Sequence, residues 1–265
     1  MNIQDKIAFI SHIKIDNSLR EKNIRSIIKF YKSNFKGSEF IGVEESSSRV
    51  QPDWYKDWDQ YITISSEDYT RKTYCYNLGA RQTKKDILVF LDVDIIVNPI
   101  FLLENINNLY NSGELECLIG YNGAAIYLNS NGESDFLKSN NIEDLYSKIK
   151  GLKNTNDSNE YGILGNTQAV GGCLILTRKT FNYINGFNPF FKGWGYEDNE
   201  IISRAHRLGV NVLKSNISND YLFHLPHSNL AENKSHHNFY KNNEAIVQFV
   251  ESLDKEQLKR YIKQW

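Results

Sequence analysis

One continuous apolar run, Ile87–Leu91, constrains the fold of this chain more than any other feature. A strand that is buried on both faces of a parallel sheet has such a run, whereas a half-buried strand alternates apolar and polar residues. Shorter apolar runs at residues 6–10, 40–43 and 61–64 alternate with helical periodicity, as at residues 24–31. The sequence therefore predicts an α/β fold with a Rossmann-like, mostly parallel central sheet flanked by helices.

Several helix boundaries are marked by residues with known capping preferences. Ser18 and Glu21 have the spacing of a capping box, and Thr177 is a good N-cap for a second helix. A third helix is predicted to begin at Glu197 and to end at Gly209.

The remaining parts of the chain are less regular. The polar residues 129–160 predict an excursion from the sheet with one short helix at 142–149, and residues 242–265 predict an amphipathic helix. We expect a single domain with a nucleotide-binding half at residues 1–98 and a sugar-binding and acceptor-binding half at residues 99–265.

Composition limits the class of protein. The 265 residues are 40% hydrophobic, 24% are charged, and the net charge is -1, so no bulk field favours nucleic acid as a partner. The three cysteines have no metal-ligand spacing, and no apolar run approaches the roughly 20 residues that cross a bilayer. The sequence is therefore interpreted as that of a cytoplasmic protein, and contact with the inner face of a membrane is compatible with it.

Two carboxylates, Asp92 and Asp94, follow the buried strand directly. Ligands of open α/β sheets bind at the carboxyl ends of the strands, where uncompensated carboxylates are costly. A divalent cation would compensate them and would also neutralise a diphosphate. Because side chains alternate along an extended chain, one carboxylate is expected to meet a nucleotide and the other a metal.

A glycine-rich block follows much later in the chain. Gly171 and Gly172 allow a ligand to approach the backbone closely, and Trp194 stands between two glycines as a flat surface for a sugar ring. Glu197 and Asp198 come next, at a helix N-terminus whose dipole favours the ionised carboxylate, as a general base requires.

This block resembles the β-1,4-galactosyltransferase family and its bacterial capsule-synthesising relatives. The shared pattern is a glycine pair, Leu-Thr, Phe, Ile-Asn-Gly-Phe and Gly-Trp-Gly-x-Glu-Asp within residues 171–198, preceded by Asn-Leu-Gly at 77–79 and by the strand with its two aspartates at 89–94. The resemblance covers about half of the chain, residues 69–209. It implies a GT-A glycosyltransferase fold, a UDP-sugar donor, Mn²⁺ or a similar cation, inversion at the anomeric carbon, and a saccharide or glycolipid acceptor in surface-glycan synthesis.

The resemblance also implies roles for individual residues. Asp198 would be the catalytic base and Glu197 would bind sugar hydroxyls, while Trp194 would stack on sugar and close over the site. On the nucleotide side, contacts with the donor are implied for Asp92, Arg71, Lys72, Gly171 and Gly172.

The metal ligands implied by the family are Asp94 and a late histidine. His224 and His227 are both candidates for the latter, with a preference for His224 because it directly follows an apolar run. Imidazole together with carboxylate suits Mn²⁺ better than Mg²⁺. The polar pair at 236–237 is interpreted as solvated histidine.

Two further assignments remain open at the level of sequence. Glu44 is a candidate acceptor for uracil N3–H, or alternatively an exposed acid at the end of a strand. In animal galactosyltransferases an aromatic residue narrows the donor-sugar pocket, and the nearest equivalent here is Ala169 or Val170. A smaller side chain leaves room for an N-acetyl group, so the hypothesis is that GalNAc is accepted at least as well as Gal.

Two other functional classes compete with a glycosyltransferase. A nucleotidyltransferase could use the same two aspartates, but it has no need of the Gly-Trp-Gly-Tyr-Glu-Asp segment. A non-catalytic carbohydrate-binding protein on the same fold would not need to keep both Asp94 and Asp198.

Overall fold

The computed structural model describes residues 2–48, 52–139, 141–165, 167–217, 220–227 and 234–265, and it describes no side chains for residues 234–238. The expectation for the histidines at 236 and 237 therefore lies outside the described side chains. The strands are β1 (Ile7–Ile13), β2 (Glu39–Ser46), β3 (Gln60–Ser65), β4 (Ile87–Leu91), β5 (Ile95–Ile96), β6 (Glu116–Ile119), β7 (Ala125–Leu128), β8 (Gly162–Leu164), β9 (Cys173–Thr177), β10 (Asn211–Lys214) and β11 (Leu222–His224).

The α-helices lie between these strands and after the last of them. They are α1 (Ser18–Asn34), α2 (Lys72–Gln82), α3 (Pro99–Ser112), α4 (Ser130–Ser139), α5 (Ile142–Lys148), α6 (Arg178–Tyr183), α7 (Glu197–Leu208), α8 (Lys234–Ser252) and α9 (Lys255–Tyr261).

A seven-stranded sheet in the order β10-β6-β9-β4-β1-β2-β3 forms the centre of the molecule. Strands β4, β1, β2 and β3 run parallel, and β9 is antiparallel to both of its neighbours. All five residues of β4 are buried, which confirms the prediction of a central strand covered on both faces. The carboxyl ends of β4, β1 and β2 therefore lie at one edge of the sheet.

A smaller sheet in the order β5-β11-β7-β8 begins where the large sheet ends. Its first strand, β5, follows Asp94 directly and pairs with β11, with Ile95 opposite His224. The amide of Leu225 donates a hydrogen bond to the carbonyl oxygen of Asp94 at 2.8 Å. This pairing brings the late histidine segment beside the end of β4, although about 130 residues of chain separate them.

The predicted helix boundaries are partly confirmed. Thr177 caps α6 through its side chain, and α7 begins at Glu197 and ends at Gly209, which has φ +91°. The predicted capping box of α1 is wrong by one residue. Asn17 is the N-cap, and Glu21 instead accepts a hydrogen bond from Trp54 Nε1.

Two polar or amphipathic regions contain more helix than the sequence predicts. The excursion after β7 holds two helices, α4 and α5, rather than one. The C-terminal region also divides into α8 and α9, because Asp254 forms a capping box with Gln257 and starts a new helix.

The three cysteines are buried free thiols: Cys75, Cys117 and Cys173. Across the described parts of the chain, no helix combines the length and the apolar character that crossing a membrane requires.

Candidate active site

A cleft of about 330 Å³ opens at the carboxyl ends of β1 and β4, between the two sheets. Its walls come from β1, α1, the segment before α2, the end of β4, β7, the Gly-Trp-Gly segment and β11. The lining residues are His12, Lys14, Arg20, Thr70, Lys72, Asp92, Val93, Asp94, Tyr127, Leu128, Gly193, Trp194, Glu197, His224, Pro226 and His227. Most of the residues predicted from the two motifs therefore meet in one place.

Asp94, His224 and His227 form a cluster whose candidate ligand atoms all lie within 4.8 Å of one another. His227 Nε2 is 3.2 Å from one carboxylate oxygen of Asp94, and His224 Nε2 is 4.0 Å from the other. His224 Nδ1 lies 2.9 Å from the carbonyl oxygen of Leu225. Since a carbonyl only accepts, this nitrogen carries the proton and leaves the Nε2 lone pair facing Asp94, as metal-ligating histidines require.

Arg20, on α1, closes the same cluster from the other side. Its guanidinium lies 3.5 Å from Asp94 Oδ2 and 3.2 Å from His227 Nδ1. An arginine only donates, so His227 Nδ1 accepts and the proton on Nε2 points at Asp94. If a cation bound to His227 Nε2, the ring proton would lie on Nδ1 instead. Nδ1 would then no longer accept a hydrogen bond from Arg20.

A second cluster surrounds the amino group of Lys72, which lies at the first residue of α2. Lys72 Nζ is 3.0 Å from Asp92, 3.2 Å from Glu197 and 3.5 Å from Asp198. Asp92 also accepts a hydrogen bond from the hydroxyl of Tyr76 at 2.5 Å. The two aspartates at the end of β4 thus face different partners, but alternation is not the reason, because it places residues two apart on the same side of a strand. The chain turns at residues 93–94, where the amide of Ile95 donates to the carbonyl oxygen of Asp92 at 3.3 Å, and this turn separates the two side chains.

The charges of this cluster shift the acidities of its members. Burial raises the pKa of Asp198 to about 7, the charge of Lys72 opposes that rise, and the nearby acids Glu197 and Asp92 add to it. Burial acts in the same sense on Asp92, yet its pKa is lowered because the charge of Lys72 and the Tyr76 hydroxyl stabilise its anion. Asp198 is therefore the carboxylate of this cluster that is poised to exchange a proton near neutral pH.

Glu200 is the third acid in the first turn of α7, and its charge is balanced within the helix. It is buried and forms an ion pair with Arg204 at 2.7 Å. Glu197 is held by Lys72 and by the amide of Gly195, which donates at 3.1 Å. Of the acids in the first turn of α7, Glu197 lines the cleft, and Asp198 lies behind it against Lys72.

The glycine pair is required by close contacts rather than by mobility. A Cβ on Gly171 would lie 2.2 Å from Asp198 Oδ2, and a Cβ on Gly172 would lie 2.9 Å from the side chain of Leu222. Gly172 also has φ +85°, a conformation that favours glycine. Gly171 thus allows Asp198 to pack directly on the backbone, and neither glycine is among the residues that line the cleft itself.

Trp194 projects into the cleft with 53% of its surface exposed. The segment that carries it is held by Asn243 on α8, which donates to the carbonyl of Gly195 at 3.1 Å and bonds both the amide and the carbonyl of Lys192. The ring of Tyr240, one turn earlier on α8, is stacked on the indole with 6.2 Å between centroids. Helix α8 therefore fixes the position of this tryptophan.

The carboxylates at the end of β2 differ from the prediction. Both are buried, so the alternative of an exposed acid is wrong for Glu44, and Glu44 faces Tyr61 and does not line the cleft. Its neighbour Glu45 faces the site instead, 2.8 Å from His12 Nε2 and 3.3 Å from Arg71 Nε. Arg71 points toward this acid, whereas Lys72 lines the cleft.

Arg20, Asn243 and Tyr240 are among the site residues that were not found from the sequence. Arg20 lies four residues before Ile24 and seven before Ile27, on the apolar stripe of α1, and an arginine at such a position is a signal that was available. Asn243 and Tyr240 gave no signal, since their roles depend on contact with a segment about 50 residues away.

Comparison with known proteins confirms the resemblance drawn from the motifs. Residues 146–228 match a family model described as the N-terminal domain of galactosyltransferase. β-1,4-galactosyltransferase 6 from Mus musculus is 36% identical over 70 residues, which are 26% of this chain and 18% of that protein. β-1,4-galactosyltransferase 5 from Danio rerio is 27% identical over 161 residues, which are 59% of this chain and 32% of that protein. The chain thus spans less than a third of each of these relatives.

Solved structures confirm the predicted GT-A fold. The catalytic domain of Drosophila β-1,4-galactosyltransferase 7, in complex with xylobiose, has a TM-score of 0.54 at 18% identity, covering 91% of this chain and 79% of that one. Glucosyl-3-phosphoglycerate synthase from Mycobacterium tuberculosis, in complex with Mn²⁺ and UDP, has a TM-score of 0.54 at 14% identity with the same coverage.

Proposed function

We propose that this protein is a metal-assisted, inverting glycosyltransferase that moves Gal or GalNAc from a UDP-sugar to a saccharide acceptor. One observation carries the proposal: the donor set of a metal site lines the cleft, and Asp198, with a pKa of about 7, lies directly behind its wall, 3.5 Å from the amino group of the lining residue Lys72. A related Drosophila enzyme has been crystallised with manganese, UDP-Gal and xylobiose, which agrees with this substrate class.

The residues present fit a divalent cation. Asp94, His224 and His227 offer one oxygen and two nitrogens, and the Nδ1 proton of His224 already points away from the cluster. Mixed imidazole and carboxylate ligands suit Mn²⁺ or a similar ion. When bound, such an ion neutralises the diphosphate of the leaving group.

The chain's own residues supply the remaining chemistry. Asp198 takes the proton of the acceptor hydroxyl while that oxygen bonds to the anomeric carbon, and the bond from that carbon to the diphosphate breaks as UDP leaves. Glu197 accepts hydrogen bonds from sugar hydroxyls. Trp194 provides an aromatic surface for a sugar ring and excludes water from it.

The nucleotide is placed over the half formed by residues 1–98. His12 and Lys14 of β1 and its following loop line the cleft on that side, and Asp92 at the end of β4 lines the same cleft. Asp92 and Lys72 are proposed to contact the nucleoside and the donor sugar, with Arg71 ordering the wall through Glu45. The half formed by residues 99–265 then holds the donor sugar and the acceptor.

The donor sugar is proposed to include GalNAc. Ala169 and Val170 precede the glycine pair and carry small side chains where an aromatic residue would narrow the pocket. Radiometric transfer from UDP-Gal and UDP-GalNAc under equal conditions tests this point. Exclusive use of UDP-Gal would contradict it.

The acceptor is proposed to be a saccharide or glycolipid of a surface glycan such as a capsule, assembled on the cytoplasmic side. The support is the resemblance to capsule-synthesising relatives and the half-exposed aromatic surface of Trp194 in the cleft.

The decisive experiment measures the thermal midpoint with UDP-sugars, with and without Mn²⁺, and then UDP release. A ligand that binds only the native state raises the midpoint, so UDP-Gal or UDP-GalNAc should do so only with Mn²⁺. UDP release with an acceptor would exclude a purely binding protein, whereas release of pyrophosphate from UTP would indicate a nucleotidyltransferase. Failure of every UDP-sugar to bind in the presence of Mn²⁺ would contradict the proposal.

A further inference from the structure

Tyr127 on β7 is a half-exposed aromatic residue inside the cleft. The other three residues of β7 are buried, whereas 48% of Tyr127 is exposed. A tyrosine ring that remains open to solvent on an otherwise buried strand forgoes the stabilisation that its burial would bring. The position therefore calls for an explanation other than packing.

The ring of Tyr127 has a defined place. A Cβ on Gly165 would lie 2.2 Å from Cε2 of Tyr127, so the ring covers the backbone of Gly165 where any larger residue would displace it. Tyr127 lines the same cleft as Lys72, whose amino group lies 3.5 Å from the carboxylate of the proposed base, Asp198.

The topology places this ring on one particular side of the metal cluster. β7 runs parallel to β11 with Tyr127 opposite His224, and the two ring centroids are 5.2 Å apart. β7 and β11 belong to the smaller sheet, whereas His12 belongs to β1 in the larger sheet, on the nucleotide side. The ring therefore lies on the side of the cleft formed by the smaller sheet, across from the proposed nucleotide side. The same cleft also holds the indole of Trp194.

We propose that Tyr127 is a specificity-determining residue that forms a stacking surface for the pyranose ring of the acceptor. The inference rests on the proposed function and adds an aromatic wall, contributed by the smaller sheet, to the one that Trp194 provides. A pyranose has a face of C–H groups that packs on an aromatic ring, and the phenol hydroxyl can bond the sugar's rim. The strand leads directly into the excursion that contains α4 and α5, so the acceptor wall is continuous with that region.

The test compares Tyr127→Ala and Tyr127→Phe with wild type, using UDP-Gal, Mn²⁺ and the p-nitrophenyl β-glycosides of GlcNAc, glucose, galactose and xylose as probes. Tyr127→Ala should raise KM for the preferred glycoside about tenfold, because a stacking contact is lost. Tyr127→Phe should change this KM much less. KM for UDP-Gal should rise much less than KM for the glycoside, since the ring packs on His224 but is proposed to stack on the acceptor.

The matched control is Ile163→Ala, which removes an exposed apolar side chain directly opposite Tyr127 on β8, outside the cleft lining. Tyr127→Leu keeps apolar bulk without an aromatic face, so it tests stacking if the alanine variant unfolds. A higher KM for UDP-Gal with an unchanged KM for the glycoside would overturn the inference, as would unchanged kinetics or a wild type that hydrolyses UDP-Gal yet glycosylates none of the probes. Absence of UDP-sugar turnover in wild type would instead refute the proposed function.

Discussion

Asp92 and Asp94 stand two residues apart at the end of one strand, yet their negative charges are balanced in different ways. Asp92 shares Lys72 with Glu197 and Asp198, so its cation is part of the chain. Asp94 faces two imidazoles and the edge of a guanidinium, an arrangement that fits a cation supplied from solution. Under the proposed function, the first cluster tunes the pKa of the base, while the second binds the metal.

Exchanging one carboxylate in each cluster should separate these roles, and it has the largest expected effect. Asp198→Asn should lower kcat about 1000-fold, the scale of a lost general base, while binding of Mn²⁺ and UDP persists. Asp94→Asn should abolish both turnover and the Mn²⁺-dependent binding of UDP. Calorimetric titration with UDP and single-turnover rates measure both. Equal loss of UDP binding in the two variants would mean that the clusters do not have separate roles.

Removing the internal cation tests the electrostatics of the first cluster. Lys72→Met leaves the buried Glu197 and the partly buried Asp92 and Asp198 without their ammonium group and should destabilise the fold by about 3 kcal/mol near pH 8. Lys72 lowers the pKa of Asp198, so its loss raises that pKa further above 7. A carboxyl with a folded-state pKa above its unfolded value destabilises the protein at high pH, and this penalty disappears as pH falls toward about 4.

Denaturant unfolding across this pH range measures the effect, with Lys72→Arg as the control that keeps the positive charge. In Lys72→Met, the acid limb of the pH profile for turnover should move to higher pH than in wild type, because Asp198 must be deprotonated to act as the base. A stability deficit that does not depend on pH would contradict the assignment.

The backbone contact beneath the base offers a smaller and more local change. Gly171→Ala places a Cβ where Asp198 Oδ2 now lies, so the carboxylate must shift. Misplacing a catalytic group by about 1 Å can cost up to about 100-fold, and we expect kcat to fall by tens of fold. Binding of Mn²⁺ and UDP should be retained, which calorimetry can check. Unchanged kcat would show that the position of the base is not set by this contact.

The sequence could predict the parts of the site that belong to single continuous segments. The buried run of β4 predicts a central strand, and the two aspartates after it then lie at the ligand-binding edge. Likewise, the first turn of α7 is visible from Gly195, Glu197 and Asp198. In each case neighbouring residues determine the position, so local pattern is sufficient.

Contacts between distant segments could not be predicted in the same way. Asn243 holds the backbone around Trp194 through side-chain bonds that no spacing reveals, and Tyr127 reaches the cleft only because β7 pairs with β11. Glu44 and Glu45 differ by one residue, and whether one or the other faces the site depends on the register of β2 in the sheet. A shift of one residue reverses the faces of a strand, so Glu44 was predicted from the sequence, whereas the register of β2 turns Glu45 toward His12 and Arg71.

The smallest expected effect concerns Arg20, which stands in the second cluster as a positive charge already present. Arg20→Gln removes repulsion of an incoming cation, so Mn²⁺ alone should bind a few times more tightly, by about fivefold. UDP in the presence of saturating Mn²⁺ should bind about tenfold more weakly, because the diphosphate can no longer bond to a guanidinium that lines the cleft. Arg25→Gln, on an exposed part of the same helix, is the control and should change neither affinity. Tighter binding of Mn²⁺ together with weaker binding of UDP would show that the guanidinium of Arg20 balances the charge of Asp94 before the cation binds. Weaker binding of both would show that Arg20 structurally supports Asp94 and His227.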